Sequence, residues 1–420
     1  MAQVGLMFQS GAGIIVMTAL AWALSTDRSK VEWRLAAMAI GIQILLAVVL
    51  LQLPVARQAL LAVTPVIEAI QAATAEGASF VFGYLATGPL PFEVTNPEAN
   101  LTILAIQVLP LVVVVSALSA LLWHWRILQV VIRLFALVLQ KTLGIGGAAG
   151  LGTAANVYMG MIEAPLFIRA YLSRLSQGEL FMLMTVGLAT ISGTVLVLYA
   201  NLLEPSVPGA VAHILTASLI SVPAAVMMAR IMVPGGHVTP ADLGTEALAY
   251  EGSMDAVVQG TREGLSLLLT ITAILLVMVA LVTLADSLLA LLPGIDGAPM
   301  TLRRIFGWVF APLVWLFGVP WSEAAAAGAL MGTKTILNEF FAYLDLAALP
   351  QDTLSPRSRV IMLYAMCGFA NLGSVGMLIS TIGTLVPERR SEVAALGLRA
   401  LIAGTLATGM TGAVVGLLPQ

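Results

Sequence analysis

Two acids set in apolar surroundings, Glu163 and Glu339, are the side chains of this sequence best placed to do chemistry. An ionised carboxylate in hydrocarbon costs at least about 2.5–3.5 kcal/mol, so each must face a polar cavity or the other acid. The structural alternative is a carboxylate that accepts backbone N–H groups at the tip of a hairpin and never touches a ligand. Lys334 lies five residues before Glu339, where it either neutralises that acid or reaches toward the interface along its stem. Glu323, beside Trp321, reads as an interfacial, solvated carboxylate. Asn156, Thr190, Ser192, Asn371 and Ser374 are amides and hydroxyls in apolar runs, where each needs a partner in the absence of water. Singly, such groups join helix to helix. Asn156, however, precedes Glu163 by seven residues, and Thr190 and Asn371 fall at matching places in two similar segments. An amide oxygen, a hydroxyl and carbonyls freed by a broken helix are the hard oxygen donors that a small alkali cation takes. His124, His213 and His237 are dispersed and the Asp residues scattered, so neither a transition-metal centre nor an intramembrane metal-dependent enzyme is expected.

The elements that position these groups follow from composition. The chain has 420 residues, 60% hydrophobic and only 10% charged, against roughly 45–50% and about 25% in a soluble domain. Ten runs of 18 residues or more lack Asp, Glu, Lys and Arg, and a bilayer core needs about 20 apolar residues per helix. The expectation is therefore an all-α polytopic membrane protein. Eight transmembrane helices are placed at about 8–24, 35–53, 101–123, 180–202, 207–230, 264–288, 360–385 and 396–418. No Lys or Arg precedes Arg28, so the first reads as a retained span rather than a cleaved signal.

Two further apolar segments differ from ordinary spans. Residues 142–172 carry Gly144, Gly146, Gly147, Gly150 and Gly152, then Glu163 and Pro165; residues 318–348 hold Glu323, Lys334 and Glu339. Broken backbone at membrane depth survives only packed in protein or lining a cavity, so both are expected to be re-entrant hairpins. Alternating basic and apolar residues at Arg126–Lys141 and Arg303–Val319 predict an interfacial helix before each hairpin.

The order then recurs as interfacial helix, hairpin, span, span. Met159-Gly160 with Glu163 resembles Met331-Gly332 with Glu339, and Ala189–Gly193 resembles Ala370–Ser374, at separations of 172, 176 and 181 residues. An inverted repeat with interrupted segments in matching places points to a secondary transporter whose site lies where the hairpins meet. The implied organisation is 1–98 N-terminal spans with extramembrane or interfacial helices, 99–232 first repeat, 233–299 linker with the sixth span, and 300–420 second repeat. With the N-terminus outside, most Lys and Arg fall in the cytoplasm and the acidic stretch 54–98 falls outside, while Arg303, Arg304, Arg357 and Arg359 do not follow the rule. The single cysteine, Cys367, excludes a disulfide framework, and a net charge of −3 without a basic run excludes nucleic acid as a partner.

Several motifs carry a family resemblance. Gly152-Thr153-Ala154-Ala155-Asn156 through Gly160, Glu163, Ala164 and Pro165 is similar to the first hairpin of the concentrative nucleoside transporter family. Pro320–Ala324, Leu330–Lys334 and Asn338-Glu339-Phe340-Phe341-Ala342-Tyr343 resemble its second. Cys367-Gly368-Phe369-Ala370-Asn371, Pro387–Arg390 and Leu396–Ala400 also match, and the likeness runs from the Ala21-Trp22 region to the last span. The resemblance implies a homotrimer in the inner cell membrane that imports nucleosides on a sodium or proton gradient, with no enzyme activity and no cofactor beyond the coupling ion. It implies a ribose held by Glu339 and Asn371 with Ser374 and Phe369 nearby, Glu163 beside the base, and sodium held as a metal ion by the Asn156 and Thr190 side chains with carbonyls around Met159 and Ile191. One departure stands out: Gly160-Met161-Ile162-Glu163 occurs where the family usually has Gly-Gln-Thr-Glu or Gly-Gln-Ser-Glu. Losing hydrogen bonds to a base edge loses discrimination, so Met161 and Ile162 imply altered base selectivity, or cargo that is another ribosyl or nucleoside-like solute. An uncoupled channel using the same cavities is the remaining alternative; paired broken hairpins favour alternating access over it.

Overall fold

The computed structural model describes residues 2–62, 64–93, 95, 101–236, 238–240, 250–295, 297 and 299–419, so that Glu98, His237, Asp242 and Asp296 lie outside the described residues. The N-terminal helices are α1 (Ala2–Ala23), α2 (Trp33–Gln52), α3 (Pro54–Leu61), α4 (Thr64–Phe82), α5 (Leu104–Gln107) and α6 (Pro110–His124). They are followed by α7 (Ile127–Leu143), α8 (Gly147–Met159), α9 (Glu163–Phe167), α10 (Arg169–Leu172), α11 (Gln177–Ala189), α12 (Gly193–Leu203) and α13 (Ala210–Met232). After α14 (Ser253–Leu289) come α15 (Leu302–Leu316), α16 (Trp321–Ile336), α17 (Glu339–Ala348), α18 (Pro356–Met366), α19 (Leu372–Leu385) and α20 (Arg390–Gly416). The order α7, α8/α9–α10, α11/α12, α13 is repeated by α15, α16/α17, α18/α19, α20, which is the expected internal repeat.

Eight helical stretches among the described residues are long and apolar enough to cross a bilayer. Seven coincide with expected spans. The eighth, Pro54–Leu85, falls in the stretch expected to be extramembrane or interfacial. The expected span 360–385 is instead two short helices, α18 and α19, and 180–202 is likewise interrupted between α11 and α12. Both interruptions put non-helical backbone inside apolar sequence. The residue pairing of the repeat needs correction as well: Met159-Gly160 ends α8, whereas Met331-Gly332 lies inside α16. By position in their helices Glu163 matches Glu339, each the first residue of the helix that follows its hairpin turn, and Ser192 rather than Thr190 matches Asn371, each an N-cap after a break.

The chain divides into two compact units. One comprises residues 59–130 and 249–283, where Gly260 and Gly264 of α14 let its backbone approach α6 closely: a Cβ at Gly260 would lie 2.8 Å from Ala117 Cα. The other comprises residues 1–58, 131–248 and 284–420 and contains both hairpins. Its axis is α20, which packs against α1, α11, α13, α18 and α19. Small residues permit that contact on all sides. A Cβ at Gly404 would come within 2.9 Å of Leu188 Cβ, and one at Gly412 within 3.0 Å of Ala365 Cβ.

Charged side chains fasten the open ends of the hairpins. Arg389 donates to the carbonyls of Leu172 (2.8 Å) and Leu175 (2.6 Å) at the end of the first, and pairs with Glu392 at 2.8 Å. Arg359 donates to Leu346 O (3.2 Å) and Leu349 O (2.9 Å) at the end of the second. In both cases a guanidinium satisfies carbonyls left over at a helix C-terminus. At the entrance of the second hairpin, Glu323 accepts from the N–H (3.2 Å) and Oγ (3.1 Å) of Ser355, the N-cap of α18. Glu323 is thus a fastening, not the merely solvated acid expected from its neighbour Trp321. Near the first, Glu179 accepts from Thr239 N (2.8 Å) and Oγ1 (2.7 Å), while Thr239 O takes the N–H of Ala148 on α8. Replacing Arg389 with Met should lower stability by about 1.5–3 kcal/mol, the worth of a hydrogen bond to a charged group. This is read as a fall in the thermal unfolding midpoint in detergent, with partial recovery in Arg389→Lys.

Candidate functional site

The site is built where four interruptions of helix converge. In the second hairpin the chain turns at Leu337-Asn338; the Asn338 side chain caps α17 by accepting from Phe341 N at 3.1 Å. That cap places Glu339 in the first turn, 4% exposed, with its carboxylate directed across the fold. Oε1 accepts from the Tyr199 phenol at 2.7 Å, and Oε2 from Asn371 Nδ2 at 3.1 Å. Three elements, α12, α17 and the start of α19, therefore meet on one carboxylate. Both of these partners are side chains, from elements outside the second hairpin.

Asn371 serves two tasks at once. As N-cap of α19 its Oδ1 accepts from Ser374 N at 2.7 Å, leaving Nδ2 to reach Glu339. Beyond these two bonds one N–H of Nδ2 and one lone pair of Oδ1 remain. Tyr199 was not singled out in the sequence, although a phenol inside an apolar span is a group that needs a partner. Its ring is held by Phe340 and Tyr343, with centroids 6.1 and 5.2 Å away. A carboxylate has about four acceptor positions; Tyr199 and Asn371 take two of Glu339's, and a backbone N–H also bonds to it.

The two broken spans touch at their breaks. Phe369 N donates to Thr190 O at 3.3 Å, and a Cβ at Gly368 would lie 2.8 Å from Ala189 O and 2.7 Å from Thr408 Cγ2. Only glycine allows this approach. At the tip of the first hairpin Gly160 adopts φ +98°, and a Cβ there would lie 2.7 Å from Ser192 Cβ, so this tip rests against the break in α11/α12. Met161 is buried beside Gly187 of α11, Ile162 and Met159 are half-buried, Ile191 is fully buried, and Glu163 opens α9, which packs against α19.

Asn156 lies in the last turn of α8, 1% exposed, with Nδ2 against Gly187 and Oδ1 without a hydrogen-bond partner. Thr190, three residues beyond Gly187, directs its hydroxyl proton to Val186 O at 2.9 Å, leaving its oxygen lone pairs available. A buried amide oxygen lacking a donor, packed against the helix that ends in the Thr190 hydroxyl and a break, is a donor set that fits a small cation. Lys334 is fully buried and donates to Thr408 Oγ1 at 3.2 Å. It does not reach for the interface; it interacts electrostatically with Glu339 from α16.

Similarity to known proteins runs along the whole chain. Residues 12–85 and 213–416 match the family profiles described as Na+ dependent nucleoside transporter N-terminus and C-terminus, and residues 105–206 match one described as nucleoside recognition. An uncharacterized transporter of Haemophilus influenzae is 35% identical over 96% of both chains. The nucleoside permease NupC of Helicobacter pylori is 32% identical over 97% of both. Among solved structures, CNTnw in an inward-facing substrate-bound state superposes with a TM-score of 0.88 at 35% identity, covering 98% of each chain.

The geometry around Glu339 makes a direct prediction. Tyr199→Phe withdraws the donor from a buried carboxylate oxygen and should destabilise the fold by about 1–3 kcal/mol. An unfolding midpoint equal to that of the unaltered protein would show that the phenol does not hold the acid.

Proposed function

The chain belongs to the sodium-dependent, or concentrative, nucleoside transporter family, a family of multi-pass membrane transporters rather than enzymes, and on that premise we propose that it imports nucleosides across the inner cell membrane by sodium symport. The observation that carries this reading is the Glu339 carboxylate, fixed by Tyr199 and Asn371 with acceptor capacity to spare. Vicinal ribose hydroxyls supply two donors to one carboxylate, a charge-assisted pair. The remaining Nδ2 proton of Asn371 gives a hydroxyl oxygen its donor, and Ser374 and Phe369 frame the sugar. The base lies toward the first hairpin, along Met161, Ile162 and Glu163.

Sodium is co-transported cargo in this scheme. Asn156 Oδ1 and Thr190 Oγ1 supply side-chain oxygens, and the carbonyls near Met159 and Ile191 complete the shell. The proposed cation donors and sugar donors are carried by elements that meet at the α11/α12 and α18/α19 breaks. Moving either hairpin tip affects both, which is the physical basis for coupling. A proton would instead need a carboxyl group that takes and releases it, and the partnerless amide oxygen of Asn156 favours the metal cation. In the membrane the protein assembles as a homotrimer.

Base recognition is relaxed in this reading. With Met161 and Ile162 in place of polar side chains, the base edge is read by shape, by water or by Glu163. Met is flexible and polarizable enough to pack on different rings. The same features admit other ribosyl solutes as a second class of cargo.

Uptake into proteoliposomes with sodium and proton gradients imposed separately tests the whole reading. Accumulation should follow the sodium gradient. Glu339→Gln should reduce it by about 10- to 100-fold, from the loss of charge-assisted bonds worth about 1.5–3 kcal/mol, and Asn156→Ala should raise the half-saturating sodium concentration. Uridine and adenosine should compete comparably for a labelled nucleoside; strict preference for one would show that the base is read by specific hydrogen bonds.

A further inference from the structure

Transport as proposed gives the buried cation Lys334 no task, yet an ammonium at membrane depth is costly and persists only with a partner. Lys334 lies in the last turn of α16, three residues before the turn at Leu337-Asn338 that leads into α17. α16 packs closely on α15, where a Cβ at Gly328 would fall 2.5 Å from Gly307 O. Lys334 is 0% exposed, so its stem does not carry the charge out to water.

Three features meet that charge. The amine donates to Thr408 Oγ1 of α20 at 3.2 Å, the carbonyl end of α16 presents partial negative charge, and Glu339 attracts it from the first turn of α17. Thr408 is also the side chain against which the α18/α19 break packs, a Cβ at Gly368 falling 2.7 Å from its Cγ2. The tip of the second hairpin is thus tied to its surroundings twice, by Glu339 to Asn371 and by Lys334 to Thr408. The titratable groups that act on one another around Glu339 are Lys334, Tyr199, Tyr343 and Cys367, and Lys334 is the cation among them. α12 and α19 carry no charged residue. On α15, α16, α17 and α18, Arg303 pairs with Asp345, and Arg304, Glu323, Arg357 and Arg359 bond to partners of their own.

We propose that Lys334 is the resident counter-charge of the transport site, a positioning residue that keeps Glu339 a bare carboxylate and so keeps protons out of the transport cycle; this rests on the reading of Glu339 as the sugar-binding acid. An opposite charge close by favours the ionised form of an acid. A protonated Glu339 would give up an acceptor that the sugar hydroxyls need. Because Lys334 belongs to the same hairpin as Glu339, the compensation stays in place when sodium leaves. The empty carrier therefore has no call for a proton, and sodium alone couples transport to a gradient.

The test uses the full-length protein with Lys334→Met, Glu339→Gln and the two combined. Infrared difference spectra at neutral pH, taken without nucleoside and with the Gln variants as blanks, report the C=O stretch of a protonated Glu339. The band should be missing from the unaltered protein and present in Lys334→Met. In thermal unfolding the double variant should melt above Lys334→Met, since removing one partner strands a buried charge and removing both does not. In proteoliposomes, uptake by Lys334→Met should fall by up to about tenfold for each pH unit of acidification, while uptake by the unaltered protein stays level. A protonated-carboxyl band in the unaltered protein, no such band in Lys334→Met, or a double variant that melts below Lys334→Met overturns the proposal. If Lys334→Met alone yields no folded protein, the double variant decides: folded protein supports the pairing and its absence overturns it. The spectra and the melts contain no nucleoside, so a Glu339 that proves paired with Lys334 but indifferent to nucleosides would refute the transport reading alone.

Discussion

Backbone polar groups cannot be left unsatisfied where water is excluded, and this constraint shapes the fold from end to end. The chain breaks helix inside apolar sequence at 160–162, 190–192, 337–338 and 367–371. Each break needs partners, and the breaks find them largely in one another. Phe369 donates across to Thr190, the Gly160 tip rests on Ser192, and Asn338 and Asn371 cap the helices that restart. The place where the helices fail is therefore also where polar groups converge. The proposed site draws on those groups.

Glu339 is the group through which this arrangement is joined. Its two oxygens tie α12 and α19 to the tip of the second hairpin, and the aromatic packing of Tyr199 on Phe340 and Tyr343 keeps the phenol in place. Lys334 adds a buried positive charge from the other arm. By contrast, the open ends of both hairpins are secured by Arg389, Arg359, Glu323 and Glu179.

Much of this was legible in the residues. Charge-free runs located seven of the eight long apolar helices, and the acids and glycines marked both hairpins. The Asn-Glu-Phe and Gly-Phe-Ala-Asn motifs named the carboxylate and amide that prove to be bonded. Other features stayed hidden for identifiable reasons. A run free of charges does not report a break in the helix, so residues 360–387 merged α18 with α19 into one span. Pro54–Leu85 was hidden by its acidic residues Glu68 and Glu76. Tyr199 carries no charge and sits in an ordinary apolar run, so its partner, 140 residues away, could not be read locally. The Met-Gly likeness between the halves was a coincidence of composition, while the equivalent Glu163 and Glu339 were recognisable from their own spacing.

The sequence by itself determined that the chain spans a membrane, that it does so as two similar halves, and which polar residues lie at depth, because burial cost and helix length act locally along the chain. Tertiary structure alone decided which of those polar groups meet. The capping of α19 by Asn371, the turn of Glu339 toward Tyr199, the partnerless oxygen of Asn156 and the seating of Lys334 on Thr408 all arise from contacts between distant segments. Those contacts depend on backbones approaching at Gly160, Gly307, Gly328 and Gly368, and no periodicity in the sequence reports how closely two helices will pack.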